Sequence, residues 1–363
     1  MAQNKGGVTR SSSIPSSGAV IRYTTDDILI SNIRPYFKKI WQADKTGGCS
    51  ADVLCIRAKN HIDSTFLYYL LSQDAFFEYV MMGAKGCKMP RGDKGHIMDW
   101  EIDIPEDKSE QTAIGQCLKM LDKKIEINKQ KNDNLEQQAQ ALYKSWFVDF
   151  EPFKDGKFIE SELGQIPEGW RIYTLNELMD IKRGSSPRPI QSYLSETGLK
   201  WLKISDATSC SSPFIYEIQE HIKSEGLRNT VYLQKGALVL SNSATPGLPK
   251  ILGIDTCIHD GWLYFPISKL SNPFMYLMFI KFRENLISQA NGSVFMNLKT
   301  EIVKNLKIAL PKREIIEQFD LIISSIFNEI RNRTEEMLNL SKQRDTLLPK
   351  LMSGEIKINE IDC

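Results

Sequence analysis

The feature that most constrains this chain is a heptad pattern that occurs twice, at positions separated by a constant 205 residues. In the first copy, seam positions follow spacings of four and three from Ile114 to Trp146. They hold apolar or small residues except at Asn128 and Asn132, and the spacing is typical of a coiled-coil seam. A helix from about Glu110 to Phe147 would be roughly 57 Å long at ~1.5 Å per residue, so it needs a partner along its length. The residues that we expect at the coiled-coil interface are Ile114, Leu118, Leu121, Ile125, Leu135 and Leu142 in the first copy, and Phe319, Ile323, Ile326, Ile330, Met337, Leu340 and Leu347 in the second.

The shared register separates two interpretations of these helices. Two unrelated amphipathic helices, each lying on its own domain, would have no reason to share ten seam positions. We therefore expect the two helices to pack on each other, although heptads alone leave their direction open. The polar seam residues Asn128, Asn132 and Arg333 would fix the register at some cost in stability. Leu121 and Ile326 are expected to be buried.

The repeat extends beyond the helices. "ILISN" at 28–32 matches "LVLSN" at 238–242, and "FLYYLL" at 66–71 matches "FMYLMF" at 274–279. "EIDIP", ending at Pro105, and "LKIALP", ending at Pro311, are each typical of a final strand that a proline closes. The pattern predicts an α+β protein in which each half is an α/β module followed by one long helix. The predicted boundaries are a first module at 1–105, a first spacer helix at 106–150, a linker at 151–168, a second module at 169–311, a second spacer helix at 312–353 and a tail at 354–363.

Composition narrows the class of protein. Hydrophobic residues make up 42% and charged residues 25% of the 363 positions, as in ordinary globular proteins. The net charge is +1, so any surface for a polyanion must be local. Seven scattered cysteines without a CxxC pair favour free thiols in a reducing cytosol. Because the sequence has neither a run of about 18 apolar residues nor the apolar core of a signal peptide, we expect a cytoplasmic protein without a membrane span.

Catalytic motifs are weak in this sequence. "PEDK" at 105–108, with Asp103 upstream, is too closely spaced for a nuclease metal site on neighbouring strands. "SNPFMY" at 271–276 lacks the second proline of the methyltransferase motif, and neither GxGxxG nor a P-loop occurs. The four histidines show no metal-ligand or triad spacing. We therefore predict no catalytic residue, no metal and no cofactor.

Several motifs resemble those of one known family. "LEQQAQALYKSWFVDFEPF" from Leu135, "SELGQIPEGW" from Ser161 and the terminal "LLPKLMSGEI" resemble the specificity subunit of type I restriction-modification enzymes. "DDILISNIRPYFKKIW" and "GAKGCKMPRGDKGHIM" in the first module, and "IKRGSSPRPI" and "WLKISDA" in the second, are similar to its target recognition domains. The resemblance covers nearly the whole chain, and its helix and linker motifs are the specific ones.

The resemblance implies a non-catalytic, DNA-reading subunit. In that family each recognition domain reads one half of a split target, and the two helices pack antiparallel as a spacer with a pseudo-two-fold axis. The implied partners are double-stranded DNA, two DNA methyltransferase (modification) subunits and restriction subunits. Two other functions stay open: a scaffold that no longer reads DNA, and a fused methyltransferase or endonuclease.

Glycine-rich basic stretches are the candidate DNA-binding elements. Glycine lets backbone approach a phosphate, Lys and Arg neutralise it, and Arg also pairs with guanine edges. Solvated charged loops are the alternative explanation for such stretches. The predicted DNA-binding residues are Asn32, Arg34, Lys38, Lys85, Lys88, Arg91 and Lys94 in the first module, and Arg183, Ser185, Ser186, Arg188, Asn242 and Lys250 in the second.

The two modules differ in length before their matching strands. Aligning them places Met1 near Asp206 or Ala207, so residues 167–206 have no counterpart in the first module. We expect part of the core of that module to be missing, and the Ser- and Gly-rich first ~20 residues to be poorly ordered.

Overall fold

The structure, a computed structural model, describes residues 1–9, 20–290 and 297–360. The chain forms two compact units: Met1–Ile127 with Glu336–Cys363, and Asn128–Glu335. Each unit therefore combines one module with half of each long helix. Within the described ranges, no helix is both long and apolar enough to cross a membrane.

The first unit is built on two small antiparallel sheets, one of three strands and one of two. Its strands are β1 (Ile21–Tyr23), β2 (Ile28–Ser31), β3 (Ile40–Gln42), β4 (Gly47–Cys49) and β5 (Val53–Ile56), and its helices are α1 (Ser64–Leu71), α2 (Asp74–Met82), α3 (Lys94–Met98) and the beginning of α4 (Lys108–Phe147). Strands β1 and β4 form the sheet of two. In the sheet of three, strand β2 pairs with β3 on one side and β5 on the other. Its residues Ile28 and Ile30 face Phe76 and Phe77 of α2, and this contact forms the core of the module.

Helix α1 joins the module to α4. The Asp63 side chain caps α1 by accepting the N–H groups of Thr65 and Phe66, both at 2.9 Å. Gly115 of α4 lies against the same turn, where an added Cβ would be 2.8 Å from the Phe66 nitrogen. A larger residue at 115 would therefore push the two helices apart.

The second unit contains two five-stranded sheets. Its strands are β6 (Phe158–Ser161), β7 (Gly164–Pro167), β8 (Arg171–Thr174), β9 (Lys182–Arg183), β10 (Leu194–Ser195), β11 (Leu199–Leu202), β12 (Phe214–Ile215), β13 (His221–Ile222), β14 (Val231–Leu233), β15 (Leu238–Ser241), β16 (Pro249–Leu252), β17 (Thr256–Ile258), β18 (Trp262–Tyr264) and β19 (Lys307–Leu310). Its helices are α5 (Leu175–Leu178), α6 (Ile204–Ser209), α7 (Asn272–Ala290), α8 (Thr300–Lys304) and α9 (Arg313–Met352), the last of which it shares with the first unit.

The sheets of the second unit repeat the pairing of the first. One sheet has the order β12-β16-β15-β18-β9 and the other β10-β13-β11-β17-β14. Strand β15 lies between β16 and β18, both antiparallel, as β2 lies between β3 and β5. The matching strings "ILISN" and "LVLSN" therefore form the central strand of equivalent three-stranded arrangements. The predicted linker at 151–168 contains a hairpin, β6–β7.

In the first unit, α4 and α9 run antiparallel. Arg344 donates to Asp122 at 2.6 Å, and Lys124 lies 3.3 Å from Glu336. As the residue number rises along α4, that of its partner falls along α9.

The second unit shows the same direction. Arg333 donates to the Asn128 side chain at 3.1 Å, and the Tyr143 and Phe319 rings lie 6.2 Å apart in an edge-to-face arrangement. The expected packing of the two helices is therefore confirmed, and it is antiparallel.

Burial along the seam is uneven. Ile114, Leu118, Phe319, Ile323 and Ile330 are buried, because module side chains cover the helices there. The other predicted interface positions are half-buried: Leu121, Ile125, Leu135, Leu142, Ile326, Met337, Leu340 and Leu347. Leu121 and Ile326 are thus less buried than expected, because two helices alone leave one side of each seam residue in solvent. Buried seam-flanking residues that the heptads did not predict include Tyr143, Phe147 and Phe327.

Two further expectations are wrong. Residues 101–105 are not a strand. The matching β19 is held by β8, and no described strand of the first unit pairs with 101–105 in that way. Cys117 is disulfide-bonded, whereas Cys49, Cys55, Cys87, Cys210 and Cys257 are free thiols. Spacing along the chain could not reveal that bond, because disulfide formation depends on proximity in the fold.

Candidate nucleic-acid interface

Each central strand ends at an asparagine with the same backbone environment. Asn32 follows β2 and Asn242 follows β15. The carbonyl of Asn32 accepts the Gly92 N–H at 3.1 Å, and that of Asn242 accepts the Leu298 N–H at 2.7 Å. Each asparagine side chain has a buried Oδ1 that accepts no hydrogen bond from any residue that the structure describes. The two modules therefore repeat a junction between central strand and loop, which is where the candidate residues lie.

In the first module, the loop between α2 and α3 carries most of the basic residues. Lys85 and Arg91 exchange two backbone hydrogen bonds of 2.9 Å, which close the base of the loop. Gly86 adopts φ +96°, a conformation that favours glycine. Lys88 and Lys94 are exposed, at the tip of the loop and in the first turn of α3.

Acidic side chains pair with two of these cations. Lys85 lies 2.5 Å from Asp93, which also caps α3. The Arg91 guanidinium lies 3.4 Å from Asp52 in the turn before β5. The basic loop is therefore partly neutralised within its own module.

Arg34 and Lys38 flank a short 3-10 turn beside this loop. The Arg34 N–H donates to the Pro90 carbonyl at 2.8 Å, which joins the turn to the basic loop. Lys38 instead pairs with Asp74 at 3.0 Å, and so does Lys5 at the same distance. The structure thus brings Arg34 to the loop, while Lys38 is directed towards α2.

In the second module, four predicted residues converge on Asp260. Arg183 Nε donates to the Asp260 carbonyl at 2.5 Å, and Asn242 Nδ2 donates to the same oxygen at 3.2 Å. The Ser186 hydroxyl donates to Asp260 Oδ1 at 2.8 Å, and Arg188 lies 3.5 Å from Oδ2. Ser185 is half-buried in the same loop.

Asp260 was not among the residues predicted from the sequence. It lies in the turn 259–261 between β17 and β18, where "DG" between two strands is a common turn signal. Burial raises the pKa of its carboxyl, but the Ser186 hydrogen bond, its own backbone N–H and Arg183 together lower the pKa below its ordinary value. The turn 259–261 therefore places a negative charge among the side chains that converge on it.

A cleft of about 950 Å³ opens beside this cluster. It is lined by the 186–191 loop and by Trp201, Lys203, Glu220 and His259. Lys203 pairs with Glu220, and burial lowers the pKa of His259. Over the part of the chain that the structure describes, no group of three or more His, Cys, Asp or Glu side chains could hold a metal ion.

Lys250 lies in the interior, which contradicts its prediction as a DNA contact. Its side chain is 3% exposed, and its ammonium donates to the carbonyls of Cys210 at 2.7 Å and Ser212 at 2.5 Å. Burial lowers its pKa. Nothing in the local sequence indicates this burial, because the "SNSATPGLPK" stretch is typical of a polar loop although Lys250 lies within β16.

Comparison with known proteins agrees with the repeat. A family model described as the type I restriction modification DNA specificity domain matches residues 21–137 and 167–341. The chain is 27% identical over 312 residues to the type I restriction enzyme MjaIX specificity subunit of Methanocaldococcus jannaschii, covering 84% of this chain and 71% of that one. It is 26% identical over 358 residues to the HindI specificity subunit of Haemophilus influenzae, covering 80% and 77% respectively. The type I restriction-modification S subunit from M. genitalium, a crystal structure, has a similar fold, with a TM-score of 0.59, 16% identity and coverage of 91% and 83%.

Proposed function

The chain belongs to the type I restriction modification DNA specificity family, and on that premise we propose that it reads a split DNA target for such a system. Each module reads one short element of the target. The chain itself has no catalytic activity, and the methylation and cleavage reactions belong to partner subunits.

The convergence of Arg183, Ser186, Arg188 and Asn242 around one turn is the observation that carries this proposal. Arg pairs with guanine O6 and N7, and Asn with adenine N6 and N7, in the major groove. Lysines such as Lys88 position the duplex through phosphates. The first module supports the same reading, because Asn32 and Arg91 occupy a related junction.

The paired helices supply the spacing between the two elements. A helix of forty residues such as α4 or α9 is about 60 Å long at ~1.5 Å per residue. Bases between the elements need not be contacted. The repeated helices also offer two related surfaces, which suits two copies of a modification subunit, with restriction subunits added to that core.

The test is motif sequencing of methylated DNA, with the modification partner present and Arg183 and Arg188 both replaced by alanine. We expect the element read by the second module to change or disappear, because its loop loses two base- or phosphate-binding groups. The element read by the first module should persist.

A matched control removes two exposed cations elsewhere in the second module, Arg228→Ala with Lys235→Ala. This control should retain the full motif. Intact elements at normal occupancy in the loop variant would exclude this loop as a reading element, and a continuous motif in the unaltered protein would refute the two-module mechanism.

A further inference from the structure

We propose that Asp260 is a positioning residue that orients Arg188 to read a guanine and restrains it from binding phosphates, and that Asp52 does the same for Arg91. This inference rests on the proposed DNA-reading function. It adds to that function the base that is read, a guanine, and the carboxylates that make the arginines selective for it.

The carboxylate of Asp260 is already engaged within the protein. Ser186 donates to Oδ1 at 2.8 Å, while Arg188 and Arg183 lie 3.5 Å and 3.9 Å from Oδ2. A carboxylate that accepted directly from a base would need its lone pairs free to face the groove. Asp260 is therefore better suited to act on its arginines than on DNA.

Arg188 retains most of its guanidinium for a ligand. Its side chain is 81% exposed, and one terminal nitrogen faces Asp260. The guanidinium is a planar fork of five N–H donors, so holding one side fixes the plane of the others. A fork held in this way can meet guanine O6 and N7 with two parallel hydrogen bonds.

The first module contains the same arrangement independently. Arg91 is 57% exposed and lies 3.4 Å from Asp52, which directly precedes β5. Asp260 lies in the turn before β18, and β5 and β18 pair with the equivalent strands β2 and β15. The acids are also tied to the repeated junctions, since the Asn32 N–H donates to the Asp52 carbonyl and the Asn242 N–H to that of Gly261, the neighbour of Asp260.

The Asp260–Arg188 and Asp52–Arg91 ion pairs are weak, so they disfavour binding of the arginines to phosphates without preventing the arginines from binding a base. Exposed ion pairs contribute little to stability, and salt screens them. Non-specific binding depends on cations that move freely to phosphates. A carboxylate beside the arginine opposes that movement. A guanine edge, by contrast, can accept hydrogen bonds from the arginine in the position where the carboxylate holds it. The acid should therefore weaken non-specific binding more than target binding.

The experiment measures equilibrium affinity of the full chain with its modification partner for three duplexes over a range of salt concentrations. The first duplex is the target identified by methylation sequencing, and the second has the second-module element scrambled. The third type is the target with 7-deazaguanine in place of a single guanine, a substitution that removes the N7 acceptor. In the unaltered protein, one 7-deazaguanine should weaken binding about tenfold, within the range of a bidentate base contact.

Asp260→Asn should reduce that loss to less than about threefold and tighten binding to the scrambled duplex severalfold. The salt dependence for the scrambled duplex should steepen by about 0.9 in log–log slope for each cation released to phosphate. Asp255→Asn, which removes an exposed charge in the same module, is the matched control and should change neither quantity. A purely structural role for Asp260 predicts weaker binding to every duplex with a lower melting temperature, and that result would overturn the proposal.

Arg188→Lys provides a second variant that retains the charge at an exposed position. It should lose sensitivity to 7-deazaguanine while keeping the salt slope. If the unaltered complex prefers no duplex, the proposed function itself fails. If it is selective and Asp260→Asn keeps full sensitivity to the guanine that Arg188→Lys no longer senses, only the positioning role is wrong. If Arg188→Lys also keeps full sensitivity, Arg188 does not read that guanine and the proposal falls.

Discussion

At the residue scale, buried charges decide which polar side chains hold the modules together and which remain for a ligand. Asp27 is 2% exposed and accepts two hydrogen bonds from Arg57, at 2.7 Å and 2.6 Å. The Arg57 hydrogen bond lowers the pKa of Asp27 well below its ordinary value despite the opposing effect of burial, and Thr24 lowers it further. Asp27 and Lys250 are therefore structural charges, unlike the exposed Arg188.

The pH dependence of the first unit follows from the lowered pKa of Asp27. A carboxyl with a lower pKa in the folded state stabilises the fold above its unfolded pKa of about 4, and this contribution is lost as pH falls through the folded value. Arg57→Met should lower the melting temperature by about 2–4 °C at pH 7. The difference from the unaltered protein should shrink below pH 4. Calorimetry from pH 7 to pH 2 checks this, with Lys59→Met as an exposed control; a difference that grew towards low pH would contradict it.

At the element scale, α4 and α9 are one pair of helices with two kinds of seam. Where a module covers the pair, seam residues such as Leu118 and Ile323 are fully buried. Towards the middle, polar contacts replace apolar ones: Asn128 is 0% exposed and Asn132 donates to Thr334 at 3.1 Å. Such layers fix the register of the pair at some cost in stability.

Two leucines of the same helix test this difference. Leu118→Ala should destabilise the chain by about 2–5 kcal/mol, because it leaves a cavity in a fully packed site. Leu121→Ala should cost less than half as much, since its half-buried side chain leaves less apolar surface to lose. Urea unfolding of both variants measures the two free energies. Equal losses would mean that the seam is uniformly packed after all.

At the scale of the whole molecule, we propose that helix length sets the gap between the two DNA elements. One extra heptad in both helices adds roughly 10 Å at ~1.5 Å per residue. That equals about three base pairs at ~3.4 Å each. Over three base pairs the duplex also rotates by nearly a third of a turn, at ~10.5 base pairs per turn.

Inserting one heptad after position 130 of α4 and one after position 331 of α9 should therefore abolish recognition of the original target. A target with a gap longer by about three base pairs should replace it. Methylation-motif sequencing reads both outcomes. A control in which the same seven residues replace a native heptad keeps the length and should keep the motif. Retention of the original gap by the lengthened protein would show that the helices do not set it.

The sequence by itself determined the two long helices and the repeat, because a heptad pattern is a local periodicity that any helix must present on one face. It also indicated the loops that carry the basic residues. The tertiary structure alone decided which of those residues meet: Arg183, Ser186 and Arg188 contact Asp260 across more than seventy residues of chain, while Lys250 turns inward to bind two carbonyls. It also decided which seam residues are fully buried, since that depends on whether a module covers the helix pair. These outcomes depend on contacts between distant segments, and a local sequence pattern does not determine which distant segment a strand or a turn will contact.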